Sequence, residues 1–303
     1  MITAARTAAA RALVACICAT ALGACGSSHP ASGTAKSSIG AHTAPKNEAQ
    51  INPLTCTAAQ LAQRQPPIVY RPRALGARKA PLVIALHGAF GNGRAMAELT
   101  GFQNVASRRG FVAVFPSACD LRRPWGSGQD LYYLDSLIRG QIASDNVDPR
   151  RVYIAGFSAG GVDAWRMACM FSDDVAAIAV VSESMSLRVS RACVLSKPVS
   201  QLLMVGTADG NRWTGAPGHA MSAVQATVWW RTADKCTSAS TLLRPIPRVL
   251  ETTWAACAGG SHVALVEVLG AAHVWPPAGV GAPPGYNASE AVWSFLSKIR
   301  APA

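Results

Sequence analysis

With 303 residues, half of them apolar, the chain has enough material for a sizeable core. Charged residues make up 15% of the total and the net charge is +12, so the basic excess reflects scarce acids rather than runs of lysine or arginine. No basic stripe of the kind that tracks nucleic acid is visible, which excludes that class of partner.

At the amino terminus, Arg6 and Arg11 flank an apolar run from Ala12 to Ala24, the pattern of an export signal. The run is too short for a permanent membrane span. It ends in Leu22-Gly23-Ala24-Cys25, which resembles the bacterial lipobox, so residues 1–24 read as a lipoprotein signal peptide and Cys25 as the lipidated residue. Residues 25–52 are rich in Ser, Gly, Ala, Thr, Lys and Pro and nearly devoid of large apolar side chains, the composition of a flexible tether. A single catalytic domain is expected over 53–303. Six of the nine cysteines fall within it: Cys56, Cys119, Cys169, Cys193, Cys236 and Cys257. An even number suits an oxidising compartment, and the absence of a CxxC pair argues against zinc, but connectivity is not readable from spacing.

Within this domain, short apolar runs alternate with helical patterns. Leu82 to Leu86, Phe111 to Phe115, Arg151 to Ala155, Val175 to Val181, Gln201 to Val205 and Val263 to Val268 read as strands buried on both faces. Leu131, Leu134, Ile138 and Ile142 recur at helical spacing, as do Val292, Phe295 and Ile299. The alternation predicts an α/β fold, a mostly parallel doubly wound sheet with helices on both faces.

The strongest local signal is Gly156-Phe157-Ser158-Ala159-Gly160, placed between a strand and a helical stretch through Trp165, Met167 and Ala168. This is the context of a nucleophile elbow, whose tight turn needs glycine on either side of the serine. A serine hydroxyl is a poor nucleophile without a base, and the tetrahedral intermediate needs donors for its oxyanion. Leu86-His87-Gly88-Ala89-Phe90-Gly91-Asn92 follows an early strand, where such a donor loop belongs, so the backbone N–H groups of Ala89 and Ala159 are the expected oxyanion hole. His87 reads as a support of that loop.

Chains with this elbow order the triad as serine, acid, histidine. His273 follows the strand Val263 to Val268 and is the candidate base, whereas His219 lacks a preceding strand and His262 precedes its strand. Asp209, in Gly206-Thr207-Ala208-Asp209-Gly210, is the candidate acid, with Glu183 as rival. Phe90, Trp125 and Trp275 are candidates for lining an acyl or aromatic pocket.

Taken together, these segments resemble the polyhydroxybutyrate depolymerase and feruloyl esterase group of α/β-hydrolases over nearly all of 66–298. The likeness rests on Leu86-His87-Gly88 with Gly91-Asn92, on Asn146 to Tyr153 running into Gly156 to Gly161, on Gly206 to Asp209, and on His273-Val274-Trp275-Pro276. It implies a serine esterase of the α/β-hydrolase fold with Ser158 as nucleophile, Asp209 as acid and His273 as base. It also implies a cysteine pair before the histidine strand, matching Cys236 with Cys257, and more weakly Cys169 with Cys193. Val205-Gly206 stands where family members often have His-Gly, and Gly-Ala-Ala precedes His273 where a glycine run is usual, which opens the question of substrate. The chemistry needs no metal and no organic cofactor. Partners are then an ester substrate and, through the lipid alone, the membrane. Two alternatives share the sequence: a cell-envelope acyltransferase with the same triad, and a non-catalytic surface lipoprotein.

Overall fold

The computed structural model describes residues 55–120, 125–144 and 146–301. The expected signal peptide at 1–24, the lipidation site Cys25 and the tether at 25–52 lie outside the described residues.

In chain order the elements are α1 (Ala58–Ala62), β1 (Ile68–Tyr70), β2 (Ala80–Leu86), α2 (Gly93–Thr100), α3 (Phe102–Arg109), β3 (Val112–Phe115), α4 (Gly128–Ser144), β4 (Val147–Phe157), α5 (Ala159–Met170), β5 (Ala177–Val181), α6 (Leu187–Ala192), β6 (Ser200–Gly206), α7 (Asn211–Thr214), α8 (Ala223–Ala233), β7 (Thr241–Leu243), β8 (Val249–Trp254), β9 (Val263–Val268) and α9 (Ala288–Leu296). The nine strands among the described residues join one sheet in the order β1-β3-β2-β4-β5-β6-β9-β8-β7. The six from β3 to β9 pair in parallel. Antiparallel strands close both edges, β1 on one side and the β8–β7 pair on the other.

Each of the six apolar runs forms one of the parallel strands, because a strand covered on both faces has no reason to alternate polar residues. Every residue of β2, β3, β5 and β6 is buried. Successive side chains still point to opposite sides: Leu82, Ile84 and Leu86 enter one core with α4, α5 and α8, while Val83 and Ala85 enter the other with α2, α3 and α9. The edge strands escaped the sequence reading for the same physical reason. β7 is exposed throughout and β1 nearly so, and neither shows a buried apolar run.

The topology sets the place of the site. After β2 the chain turns outward to β3, then crosses back to β4 on the other side of β2. Such a reversal leaves a crevice at the carboxyl ends of the strands, between β2 and β4. The loop carrying His87, Gly88 and Ala89 leaves β2 at this end, and Ser158 leaves β4 beside it.

Three disulfides fasten the helical layer: Cys169–Cys193, Cys236–Cys257 and Cys56–Cys119. The first two are the pairs implied by the family resemblance; the third ties the start of α1 to the loop after β3. It closes the longest loop, 63 residues against 21 for Cys236–Cys257. In the chain-entropy account the denatured state gains most freedom when the longest loop is opened. Serine substitution of both Cys56 and Cys119 is therefore expected to lower unfolding free energy in urea by about 4 kcal/mol, against about 3 kcal/mol for the Cys236 and Cys257 pair. A reversed order would contradict this reading.

Candidate active site

Ser158 occupies a backbone conformation that only a built turn sustains, with φ 52° and ψ −125°. Its N–H donates to the Val181 carbonyl at 2.9 Å, and its own carbonyl accepts from Gly161 N–H at 2.7 Å. Two glycines make the turn possible. A Cβ at Gly156 would strike the Gly160 carbonyl, and a Cβ at Gly160 would strike the backbone carbonyl of Leu86 at the end of β2. The elbow therefore lies directly against the neighbouring strand. Gly88 faces it from that strand's loop, where an added Cβ would sit 3.3 Å from the Ser158 Cβ.

The expected oxyanion donors lie on either side of this contact. Ala159 is the first residue of α5, where backbone N–H groups have no acceptor inside the helix and the helix dipole favours negative charge. Ala89 is exposed on the loop after β2, just beyond Gly88. His87 braces that loop. It is 2% exposed, its Nδ1 lies 2.7 Å from the Gly88 carbonyl oxygen, and its Nε2 accepts from Ala118 N–H at 3.1 Å. The proton therefore belongs on Nδ1, and burial lowers the ring's pKa so that it stays neutral.

At the far side, the loops after β6 and β9 are joined along their length. Thr207 N–H donates to the Val268 carbonyl at 3.0 Å, Ala208 N–H to Ala271 at 2.9 Å, and Gly270 N–H to the Thr207 hydroxyl at 2.8 Å. Gly206 permits the approach, since a Cβ there would collide with the carbonyl of Ala271. The result is a carboxylate–imidazole pair: His273 Nδ1 lies 3.0 and 3.1 Å from the two oxygens of Asp209. Asp209 is buried, its side chain 3% exposed, whereas that of His273 is 35% exposed. A proton on Nδ1 satisfies the carboxylate and leaves Nε2 as a free base. Glu183 is hydrogen-bonded elsewhere: its Oε1 accepts from Ser184 N–H at 2.9 Å and faces Arg212 Nε at 3.8 Å.

The histidine strand is separated from β4 by β5 and β6, so its loop must run back over their ends. Ser182, the residue after β5, holds it there: its hydroxyl donates to the Val274 carbonyl at 2.9 Å, and Val274 N–H lies 3.3 Å from the same oxygen. The Phe157 ring, next to Ser158, then lies 5.1 Å from the His273 ring, centroid to centroid. Sequence reasoning passed over Ser182, a serine beside the more conspicuous Glu183. Its φ of 54° marks it only once the backbone is known.

The three aromatic candidates separate. Phe90 is 82% exposed, with φ 59°, on the loop carrying Ala89. Trp275 is 1% exposed and packs edge-on against Phe102 and Phe157, its Nε1 donating to the Ser289 hydroxyl at 3.0 Å. Trp125 is 4% exposed, against the His87 ring, and donates to the His87 carbonyl at 2.8 Å. Both tryptophans are buried in the core, where their indole N–H groups find partners.

The arrangement is similar to known esterases. A bifunctional acetylxylan esterase/xylanase of Neocallimastix patriciarum is 29% identical over 143 residues, covering 46% of this chain and 21% of that protein. Feruloyl esterase B of Neurospora crassa is 28% identical over 107 residues, 32% of this chain and 37% of that one. The chain thus spans only about a fifth to two fifths of the length of these curated relatives. Among solved structures, an acetyl xylan esterase from Aspergillus awamori superposes with a TM-score of 0.57 at 14% identity, covering 76% of this chain and 93% of that one. Esterase PE8 superposes at 0.51 with 16% identity, covering 77% and 97%. At these identities the likeness establishes the fold, that of the α/β-hydrolases. The model of the esterase PHB depolymerase family matches residues 66–238, more than half of the sequence and inclusive of Ser158 and Asp209. By that match, the chain belongs to the esterase PHB depolymerase family.

Proposed function

We propose that the protein is an exported serine esterase that hydrolyses carboxylic esters through Ser158, His273 and Asp209. The observation that carries this reading is the 3.0 Å contact between Asp209 and His273, on loops pinned beside the Ser158 elbow. His273 Nε2 takes the Ser158 proton as Oγ attacks the ester carbonyl, and the new oxyanion is held by the N–H groups of Ala89 and Ala159. His273 then protonates the leaving alcohol as the carbon–oxygen bond breaks, leaving an acyl-enzyme. Water, deprotonated by the same imidazole, releases the acid and restores Ser158. Asp209 fixes the tautomer of His273 and stabilises the imidazolium. Phe90 contacts the acyl or aromatic part of the substrate in this reading, which its exposure beside Ala89 supports.

Export is supported by the signal-like segment at 1–24 and by three disulfides, which persist in oxidising compartments. No helix among the described residues is long and apolar enough to cross a membrane, and attachment is proposed through lipid on Cys25. Esterified polysaccharides are the favoured substrate class, because the matched relatives are named as acetylxylan and feruloyl esterases.

Hydrolysis of a p-nitrophenyl ester series from acetate to palmitate by the domain beginning near Asn52 tests the reading. Ser158→Ala is expected to lower kcat by about 10⁴-fold or more with the fold intact. Retained turnover would overturn the assignment. Asp209→Asn is expected to cost about 10³- to 10⁴-fold in kcat at neutral pH, since an amide there favours the wrong imidazole tautomer; an unchanged kcat would transfer the role to another acid. Ser182→Ala is expected to reduce kcat roughly tenfold with KM nearly constant, the signature of a displaced base rather than a damaged binding pocket.

A further inference from the structure

A second concave site lies beside the nucleophile helix, and the catalytic reading does not use it. It is a cleft of ≈ 660 Å³ lined by Val162, Arg166, Ser186, Leu187, Arg188, Arg191, Ala192, Gly218 and His219. Three arginines and a histidine line it, and no acidic residue among the described residues does. Arg188 and Arg191 stand exposed on α6, while the Arg166 side chain is 10% exposed on α5. Arg166 gives one N–H to the fully buried Asp163 at 2.7 Å, which balances one of the three charges, and its buried Nε has no hydrogen-bond partner among the described residues. The opposite wall is fixed: Leu187 N–H donates to the His219 carbonyl at 2.8 Å, and Ser186 bridges to Ala220.

Distance ties the cleft to the reaction. Val162 and Arg166 follow Ser158 by four and eight residues along α5, on one side of the helix and about 6 and 12 Å further along its axis. That span suits a substituent one or two sugar units from the scissile ester. The cleft falls within the usual size range of ligand sites, and guanidinium forks match a carboxylate in paired hydrogen bonds. The geometry points to a subsite for a carboxylate on the substrate: the protein prefers esters of acidic, uronic acid-bearing polysaccharide chains over neutral ones. This inference rests on the esterase reading for its substrate class.

Binding to the full-length Ser158→Ala protein tests it without turnover. Xylotetraose carrying one glucuronic acid is expected to bind about tenfold more tightly than unsubstituted xylotetraose, and Arg188→Gln with Arg191→Gln is expected to erase the difference. Arg73→Gln, at an exposed arginine outside the cleft, is the charge control and leaves the preference intact. Equal binding of the two sugars, a preference that survives both cleft substitutions, or tighter binding of a phosphorylated tetraose would overturn the assignment. Hydrolysis of acetylated versions of the same two sugars by the unsubstituted protein is read separately. Its absence would count against the esterase reading while leaving the binding result to decide the subsite.

Discussion

The reach of one loop governs the rest of the structure. In a parallel sheet ordered β4-β5-β6-β9, the histidine and the serine leave strands that are not neighbours, and two strand ends lie between them. If His273 is the base proposed here, its attachment to β9 by free chain would let it sample many positions, and general-base catalysis tolerates few. The Ser182 hydroxyl removes that freedom by bonding both the carbonyl and the N–H of Val274, one residue past the histidine. Trp275, on the next residue, anchors the same segment in the core through Ser289, whose hydroxyl in turn donates to the Thr100 carbonyl at 2.5 Å. Asp209 is brought to His273 by backbone as well, since the Gly206 loop is laced to the histidine loop before either side chain is considered.

Much of this was legible in the sequence. Buried parallel strands appear as unbroken apolar runs because both their faces are covered, and Leu82 to Leu86 or Val263 to Val268 admit little else. The tight turn at Ser158 is legible because its glycines are sterically obligatory, and the pairing of Asp209 with His273 follows from which strand ends the topology brings together. What stayed hidden depends on contacts between distant segments. Ser182 looks like any serine until its backbone angle and its partner at Val274 are known. That Trp125 and Trp275 are buried, while Phe90 is exposed, is equally invisible in the sequence, because an aromatic ring suits both core and surface. β1 and β7 lie at the sheet edges, one face or both in water, and carry no periodic signature strong enough to stand out.

Charge was the least legible property. From composition, the positive excess looks diffuse, because Arg166 is separated in sequence from Arg188 and Arg191 by a strand. Folding brings α5 and α6 together and lines one cleft with three arginines and, among the described residues, no acid. A compositional surplus and a local field are different quantities, and only the second bears on recognition.

The central claim is that Ser158 is the activated nucleophile and His273 its base. The most direct measurement is intact and peptide mass spectrometry after reaction with a fluorophosphonate, on the unsubstituted protein and on His273→Ala. The account predicts a single adduct on the peptide containing Ser158, formed at least a hundredfold more slowly without the imidazole, on the order of the contribution expected of a general base. An adduct on another serine, or labelling of Ser158 at the same rate in both proteins, would contradict it.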